Sequence, residues 1–241
     1  MDRSLLSHKP VIDASRSIIC IRLATYENKE ETQYLEKVFR GRAGTLENTV
    51  FAMLSPKADR YLARPGRSPE WTFSSPEDMA RGLKEIAARY PPTGEQEALP
   101  AMENLRLALD VAACDSMPLI VATSADAAKR VELNKLLARL AWNSRLRGKY
   151  AYSPAATPAE LRAVKLPETE GIVLVMPHTY GLTGLVTQRW PLSTDAATLV
   201  ATLERLRPTL AFTGKVPRTH MDGGWRGGFS WQTLMPVTDP G

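Results

Sequence analysis

Apolar and polar positions in the first part of the chain predict short strands and one amphipathic helix. The run "SIICIRLA" (17–24) is short and rich in β-branched residues, which predicts a buried strand. Helical periodicity predicts a helix over 26–39. Apolar runs at 48–56 and 60–66 then predict a hairpin, and Pro65 favours an edge position for its second strand.

A second helix in this region has clear start signals. Ser75 is a helix-capping residue type, Pro76 suits the first helical position, and Asp78 lies three residues after the cap. The apolar face that follows consists of Met79, Leu83, Ile86, Ala87 and Tyr90. Three prolines and a glycine within 91–100 predict a linker after this helix.

The rest of the chain alternates helices and strands. Strands are predicted at 118–123, 149–153, 171–177 and 182–190, and helices at 101–115, 124–147, 157–164 and 193–206. Ser124 is predicted to cap the long helix, with Asp126 favourably placed in its first turn. The buried stripe of that helix is predicted to be Leu133, Leu136, Leu137 and Leu140.

Two segments repeat one order of elements. Residues 49–87 and 171–206 each read as an apolar strand, a polar turn, a return strand and a capped amphipathic helix. Such an echo indicates two copies of one α/β unit. The predicted domains are 1–95, 96–210, and a Gly/aromatic extension at 211–241.

This order of elements resembles the thioredoxin-like fold. Residues 101–207 are similar to a complete domain of that superfamily, with "PLIVAT" (118–123) as its central strand. Residues 15–90 resemble a shortened unit, in which Ala58-Asp59 occupies the turn between two strands. The resemblance implies tandem thioredoxin-like units, each a mixed sheet flanked by helices.

The sequence departs from that family where the family carries its chemistry. Thioredoxins place a C-x-x-C motif where the central strand meets the long helix, and the helix N-terminus lowers the pKa of a thiol there. This chain has "SADA" at 124–127, which contains no sulfur. The family's cis-proline has its nearest counterpart in Pro167. We therefore expect no dithiol oxidoreductase activity.

Charge and hydropathy exclude two classes of partner. The 241 residues carry a formal charge of +5, but the basic excess is spread along the chain rather than concentrated in one segment. We therefore expect no specific nucleic-acid binding.

No apolar run reaches the length of a membrane span. The start, "MDRSLLSHKPVID", lacks the apolar core of an export signal, so two locations stay open: the cytoplasm, or export with the signal removed.

The two cysteines are far apart in the sequence. Cys20 lies in an apolar run and Cys114 ends a helical segment, so both are expected to be buried thiols. A disulfide between them cannot be deduced from sequence. In the alternative interpretation, one of them is the reactive thiol of a thioredoxin-related enzyme.

Histidine and methionine offer a candidate copper site. His220 and Met221 are adjacent, His178 is a further candidate ligand, and imidazole and thioether groups both bind copper. Otherwise we expect no cofactor. A hydrolase triad of Ser124, His178 and Asp126 is not favoured, because the chain has no G-x-S-x-G elbow.

Two segments are candidates for binding another protein. Residues 139–149 include Arg145 and Arg147, which either complement a helix dipole or dock an acidic partner. The tail carries Trp225, Phe229 and Trp231, and large aromatics supply burial energy at interfaces. We expect the tail to be ordered, either against its own domains or on a second subunit or partner.

Together these features predict a non-enzymatic thioredoxin-like adaptor or assembly module that binds another protein or a second copy of itself. The alternative is a thiol enzyme or copper-handling protein that uses Cys20, Cys114 or the His220/Met221 pair.

Overall fold

The computed structural model describes residues 5–21, 23, 29–40, 44, 46, 50–91, 98–207, 210 and 216–229. The chain divides into two compact units, which are residues 1–94 with 229–241 and residues 95–228. The helices are α1 (Lys9–Ser15), α2 (Lys29–Val38), α3 (Pro76–Ala88), α4 (Leu105–Cys114), α5 (Ala127–Ala141), α6 (Pro158–Ala163), α7 (Ala196–Leu206) and α8 (Pro217–Arg226). The strands are β1 (Leu119–Thr123), β2 (Ala151–Tyr152), β3 (Gly171–Pro177) and β4 (Gly184–Trp190).

The first unit has a small core built mainly on α1 and α3. Its buried residues are Val11, Ala14, Met53, Phe73, Met79, Ala80, Leu83 and Ile86. The predicted start of α3 is confirmed, because the Ser75 side chain accepts a hydrogen bond from the Asp78 backbone N–H at 3.1 Å. Three residues of the predicted apolar face, Met79, Leu83 and Ile86, belong to this core.

The strand predicted at 17–24 is wrong for the residues that the structure describes. Residues 17–21 and 23 have no strand assignment, and the side chains of Ile19 and Ile21 are 60% and 76% exposed. A run of β-branched residues forms a strand only where a neighbouring strand can pair with it and cover its side chains. Among the described residues of the predicted hairpin, pairing is limited to two isolated antiparallel bridges, Phe51 with Gly66 and Leu54 with Tyr61. The tandem thioredoxin-like arrangement is therefore not confirmed.

The second unit contains a four-stranded mixed sheet in the order β2-β1-β3-β4. The strand β1 runs parallel to β2 and antiparallel to β3, and β3 and β4 form an antiparallel hairpin. All residues of β1 are buried, so β1 is a central strand, as predicted. The mixed α/β class predicted for this part of the chain is confirmed.

Helices cover both faces of this sheet. Ile120 and Ala122 of β1 belong to one core cluster with α5 and α7 residues such as Leu137 and Leu199. Leu119 and Val121 point to the opposite face and belong to a cluster with residues of α4 and α6. Alternation along β1 thus divides the apolar residues between two layers of helices.

Helix starts in the second unit follow local capping chemistry. Thr157 caps α6, within the helix predicted at 157–164, and forms a capping box with Glu160. The long helix α5 begins two residues later than predicted, because Asp126 is its cap: the carboxylate accepts hydrogen bonds from the N–H groups of Ala128 and Lys129. Ser124 precedes the helix, and its hydroxyl donates a hydrogen bond to Glu170.

Candidate functional site

The junction between β1 and α5 is closed by a side chain from a distant part of the sequence. Ser124 is fully buried, and its hydroxyl donates to Glu170 Oε1 at 2.5 Å. The same hydroxyl accepts the Asp126 N–H at 3.2 Å. Glu170 lies immediately before β3, so this bond ties the end of the central strand to the start of its antiparallel neighbour.

Two cations of α5 complete the polar network at this junction. Arg130 Nη1 donates to the backbone oxygens of Ser124 and Ala125, at 2.9 and 2.8 Å. Lys129 Nζ lies 3.9 Å from Glu170 Oε1. Both groups of this last pair are about half exposed, so their attraction contributes little to stability. The network holds the backbone of the junction in place and contains no sulfur atom.

A small cavity lies next to Glu170, with a volume of about 230 Å³. Its lining consists of Thr169, Glu170, Gly171, Ile172, Val173, Arg189, Trp190 and Pro191. Arg189 Nη1 donates to Thr169 Oγ1 at 3.1 Å across its rim. The volume is below the roughly 300–1,000 Å³ of typical small-molecule sites. The cavity is therefore too small to enclose a drug-sized ligand.

Pro167, the nearest candidate for a cis-proline, follows a trans peptide bond, since no cis bond occurs in the described part of the chain. Pro167 precedes Glu170 by three positions and the first residue of β3 by four. The trans geometry differs from the cis-proline that the resemblance implies for this position.

The expectation of buried cysteines is wrong. Cys20 and Cys114 are both exposed and form no disulfide. Protein atoms still pack around the Cys20 sulfur closely enough that burial raises the pKa of its thiol, which a hydrogen bond to Ser15 only partly offsets. A raised pKa reduces the thiolate fraction at neutral pH and therefore disfavours Cys20 as a nucleophile.

The arginines of the predicted basic segment lie just after α5. Arg145 Nη1 is 3.4 Å from Glu204 Oε2 of α7, and both side chains are about half exposed. Arg147 is partly buried, and its Nε atom is inaccessible to solvent. The charge of Arg145 is therefore partly compensated within the domain, which weakens the interpretation of this segment as a patch for an acidic partner.

Part of the tail forms helix α8, which packs on the turn between β3 and β4. The rings of Tyr180 and His220 are stacked, with centroids 4.7 Å apart and planes at 28°. The Tyr180 hydroxyl also donates to the His220 carbonyl at 3.0 Å. Residues 216–228 are thus ordered against their own unit, while Phe229 is half-buried and Trp231 lies outside the described residues.

Two glycines of α8 allow this close approach. A Cβ atom at Gly223 would lie 2.6 Å from the Tyr180 hydroxyl oxygen, and one at Gly224 would lie 3.3 Å from the tyrosine ring. Glycine inside a helix costs about 1 kcal/mol relative to alanine. Here the missing side chains make room for an aromatic ring, which the glycine-rich sequence alone did not indicate.

The turn that carries Tyr180 is itself fixed to α4. Arg106 forms an ion pair with Asp110 and donates to the carbonyls of Gly181 and Leu182. Gly181 has φ +67°, and a Cβ atom there would lie 2.7 Å from the Asp110 Cα. Burial raises the pKa of Asp110, although the Arg106 hydrogen bond acts in the opposite direction. Tyr180 is therefore presented from a rigid turn.

Replacing Tyr180 with alanine is expected to release α8 while the sheet stays intact. Loss of an aromatic contact worth about 1 kcal/mol predicts amide exchange in 217–226 that is roughly five- to tenfold faster. Hydrogen exchange with mass spectrometry measures this directly. The control is Tyr180→Phe, which keeps the ring and should cause a smaller increase; unchanged exchange in Tyr180→Ala would contradict the packing described above.

The copper hypothesis stays a prediction. His178 is exposed in the β3–β4 turn, His220 is stacked on Tyr180, and Met221 is 53% exposed. Among the described residues, no group of three His, Cys, Asp or Glu side chains is arranged to hold a metal ion. Within the same residues, no helix has the length and apolarity needed to cross a membrane.

No family model matches the chain, and neither a curated protein nor a solved structure is significantly similar to it. The structure alone thus defines the class, an α/β protein whose second unit has a mixed sheet in the order β2-β1-β3-β4. The sequence predicts roles for Ser124 and Asp126 at the junction but carries no signal for Glu170, Arg130 or Tyr180. Their contacts join residues far apart in the chain or fall in turns, where no periodic signal marks them.

Proposed function

We propose that the second unit is a thioredoxin-like domain that binds another protein and performs no thiol redox chemistry. The order β2-β1-β3-β4, with a parallel first pair and an antiparallel hairpin, supports the resemblance over 101–207. Helix α5 follows β1, α6 connects β2 to β3, and α7 follows β4. The resemblance implies the same order of elements.

The observation that carries this proposal is the chemistry of the β1–α5 junction. The cap position of α5 is occupied by the Asp126 carboxylate, which already accepts two backbone N–H groups. Ser124 is buried and bonded to Glu170. A thioredoxin-like enzyme needs an ionisable thiol at this helix start. In this chain the same backbone donors stabilise a carboxylate, which cannot exchange disulfides.

The alternative, a single-thiol enzyme, is less well supported by the two cysteines. The pKa of Cys20 is raised by burial. Cys114 is the last residue of α4. Neither cysteine lies at a helix N-terminus, where a thiolate is stabilised.

The purified full chain is expected to leave the rate of insulin reduction by dithiothreitol unchanged. Cys20 should also react with a disulfide reagent at pH 7 more slowly than free cysteine, because its raised pKa lowers the thiolate fraction. Catalysed reduction that disappears in Cys20→Ser or Cys114→Ser would instead establish the thiol enzyme.

A further inference from the structure

Helix α8 has two faces with different roles. One face, formed by His220, Gly223 and Gly224, lies against Tyr180. At 100° per residue, Trp225 lies on the side away from Tyr180, and Met221 lies one turn earlier on the flank beside it. Their side chains are 53% and 68% exposed, although tryptophan is usually largely buried. The helix is thus anchored on one side and presents large apolar groups on the other.

Charged residues run alongside this apolar pair. Arg218, Asp222 and Arg226 follow at intervals of four residues, and all three are exposed. Arg226 Nε donates to the backbone oxygen of Asp222, which holds the guanidinium near the helix surface. We call Arg218, Met221, Asp222, Trp225 and Arg226 the outer face of α8. Two guanidinium groups against one carboxylate give this face a net positive charge.

We propose that the outer face of α8 docks an acidic amphipathic segment of another protein. Trp, Met and Arg are the residue types enriched in the cores of protein interfaces, and the flanking arginines match carboxylates by charge and by bidentate geometry. The anchoring on Tyr180 fixes α8 before binding, so less conformational entropy is lost when a partner docks. This inference specifies the partner surface of the binding function proposed above and rests on it.

Charge argues against two other occupants of the outer face. An antiparallel α8–α8 contact centred on Asp222 would oppose Arg218 to Arg226 and Asp222 to itself, which places like charges together. A membrane-binding helix requires a polar face rich in Lys and Arg, whereas this ten-residue helix has an aspartate between its two arginines. A second copy and an anionic lipid surface are therefore outcomes that the test must distinguish.

The test uses two synthetic peptides of about 15 residues that share Leu and Phe at helical spacing. One peptide has Glu at the remaining positions and the other has Lys. Binding to the full chain is measured by fluorescence anisotropy. The acidic peptide is expected to bind more tightly, and Trp225→Ala should weaken its affinity about 30-fold, as for an interface hot spot. The double variant Arg218→Glu with Arg226→Glu should reverse the preference between the peptides.

The control is Val131→Ala, which removes an apolar side chain of similar exposure from α5 and should leave peptide affinity unchanged. Equal binding of both peptides, no binding of either, or unaltered affinity in Trp225→Ala would overturn the inference. So would binding to phosphatidylserine vesicles without peptide binding, or a dimer in sedimentation that Trp225→Ala dissociates. If Val131→Ala lost peptide binding and Trp225→Ala did not, the docking surface would lie on α5 rather than on α8, and the proposed binding function would still hold. Insulin reduction by the wild-type chain would contradict the proposed function without affecting the peptide result.

Discussion

Replacing Leu137 with alanine is expected to lower the free energy of unfolding of the second unit by about 2–5 kcal/mol. Leu137 is fully buried in α5, in the same cluster as Ile120 of β1, Ile172 of β3 and Leu199 of α7. Truncation removes apolar contacts within this cluster and leaves a cavity that the surrounding elements cannot readily fill. Urea unfolding of the full chain, followed through amide protection in β1 and β3, measures the change.

The matched control for this prediction lies in the same helix. Val131 of α5 is 55% exposed, so Val131→Ala should change stability by less than about 0.5 kcal/mol. A comparable loss in both variants would contradict the assignment of the buried face of α5, and with it the packing of this helix against the sheet.

The strands of the second unit could be predicted because each apolar run is bounded by turn residues. Runs such as "PLIVAT" and "GIVLVMP" contain no charge and end at polar or proline positions, which is typical of a strand covered on both faces. The same reasoning fails for the described residues of 17–24, although that run is also rich in β-branched residues. In that segment Ile19 and Ile21 are exposed, and local composition cannot report whether a neighbouring strand is present.

The cap of α5 is Asp126, two residues after the predicted cap at Ser124, and here too the outcome depends on a distant part of the chain. Ser124 and Asp126 are both good capping residues, and sequence does not rank them. The choice depends on Glu170, which is 46 residues away and accepts the Ser124 hydroxyl hydrogen bond. In helix α8, a tertiary contact outweighs local propensity. Gly223 and Gly224 lower the helix propensity of the segment, but their close contact with Tyr180 favours the helix.

Introducing cysteines at Asp126 and Lys129 is expected to create dithiol chemistry that the wild-type chain lacks. Asp126 is exposed at the cap of α5, and Lys129 lies one turn further along the same side. A thiolate at position 126 would receive the N–H groups of Ala128 and Lys129 that now bind the carboxylate. Lowering a thiol pKa from about 8.5 to about 7 raises the thiolate fraction at pH 7 roughly 15-fold.

The control carries the same C-x-x-C spacing two residues earlier, as Ser124→Cys with Ala127→Cys. Ser124 is fully buried, so a thiol there cannot reach a protein disulfide. This pair is expected to remain inactive even though it matches the motif position inferred from sequence. Circular dichroism of both double variants establishes that each retains its helices and strands.

Insulin reduction by dithiothreitol, compared among the wild-type chain and these two double variants, tests most directly whether the second unit is a thioredoxin-like domain without its redox site. The account predicts faster reduction with the 126/129 pair alone. Turnover by the wild-type chain, or a folded 126/129 variant that cannot accelerate reduction, would contradict it.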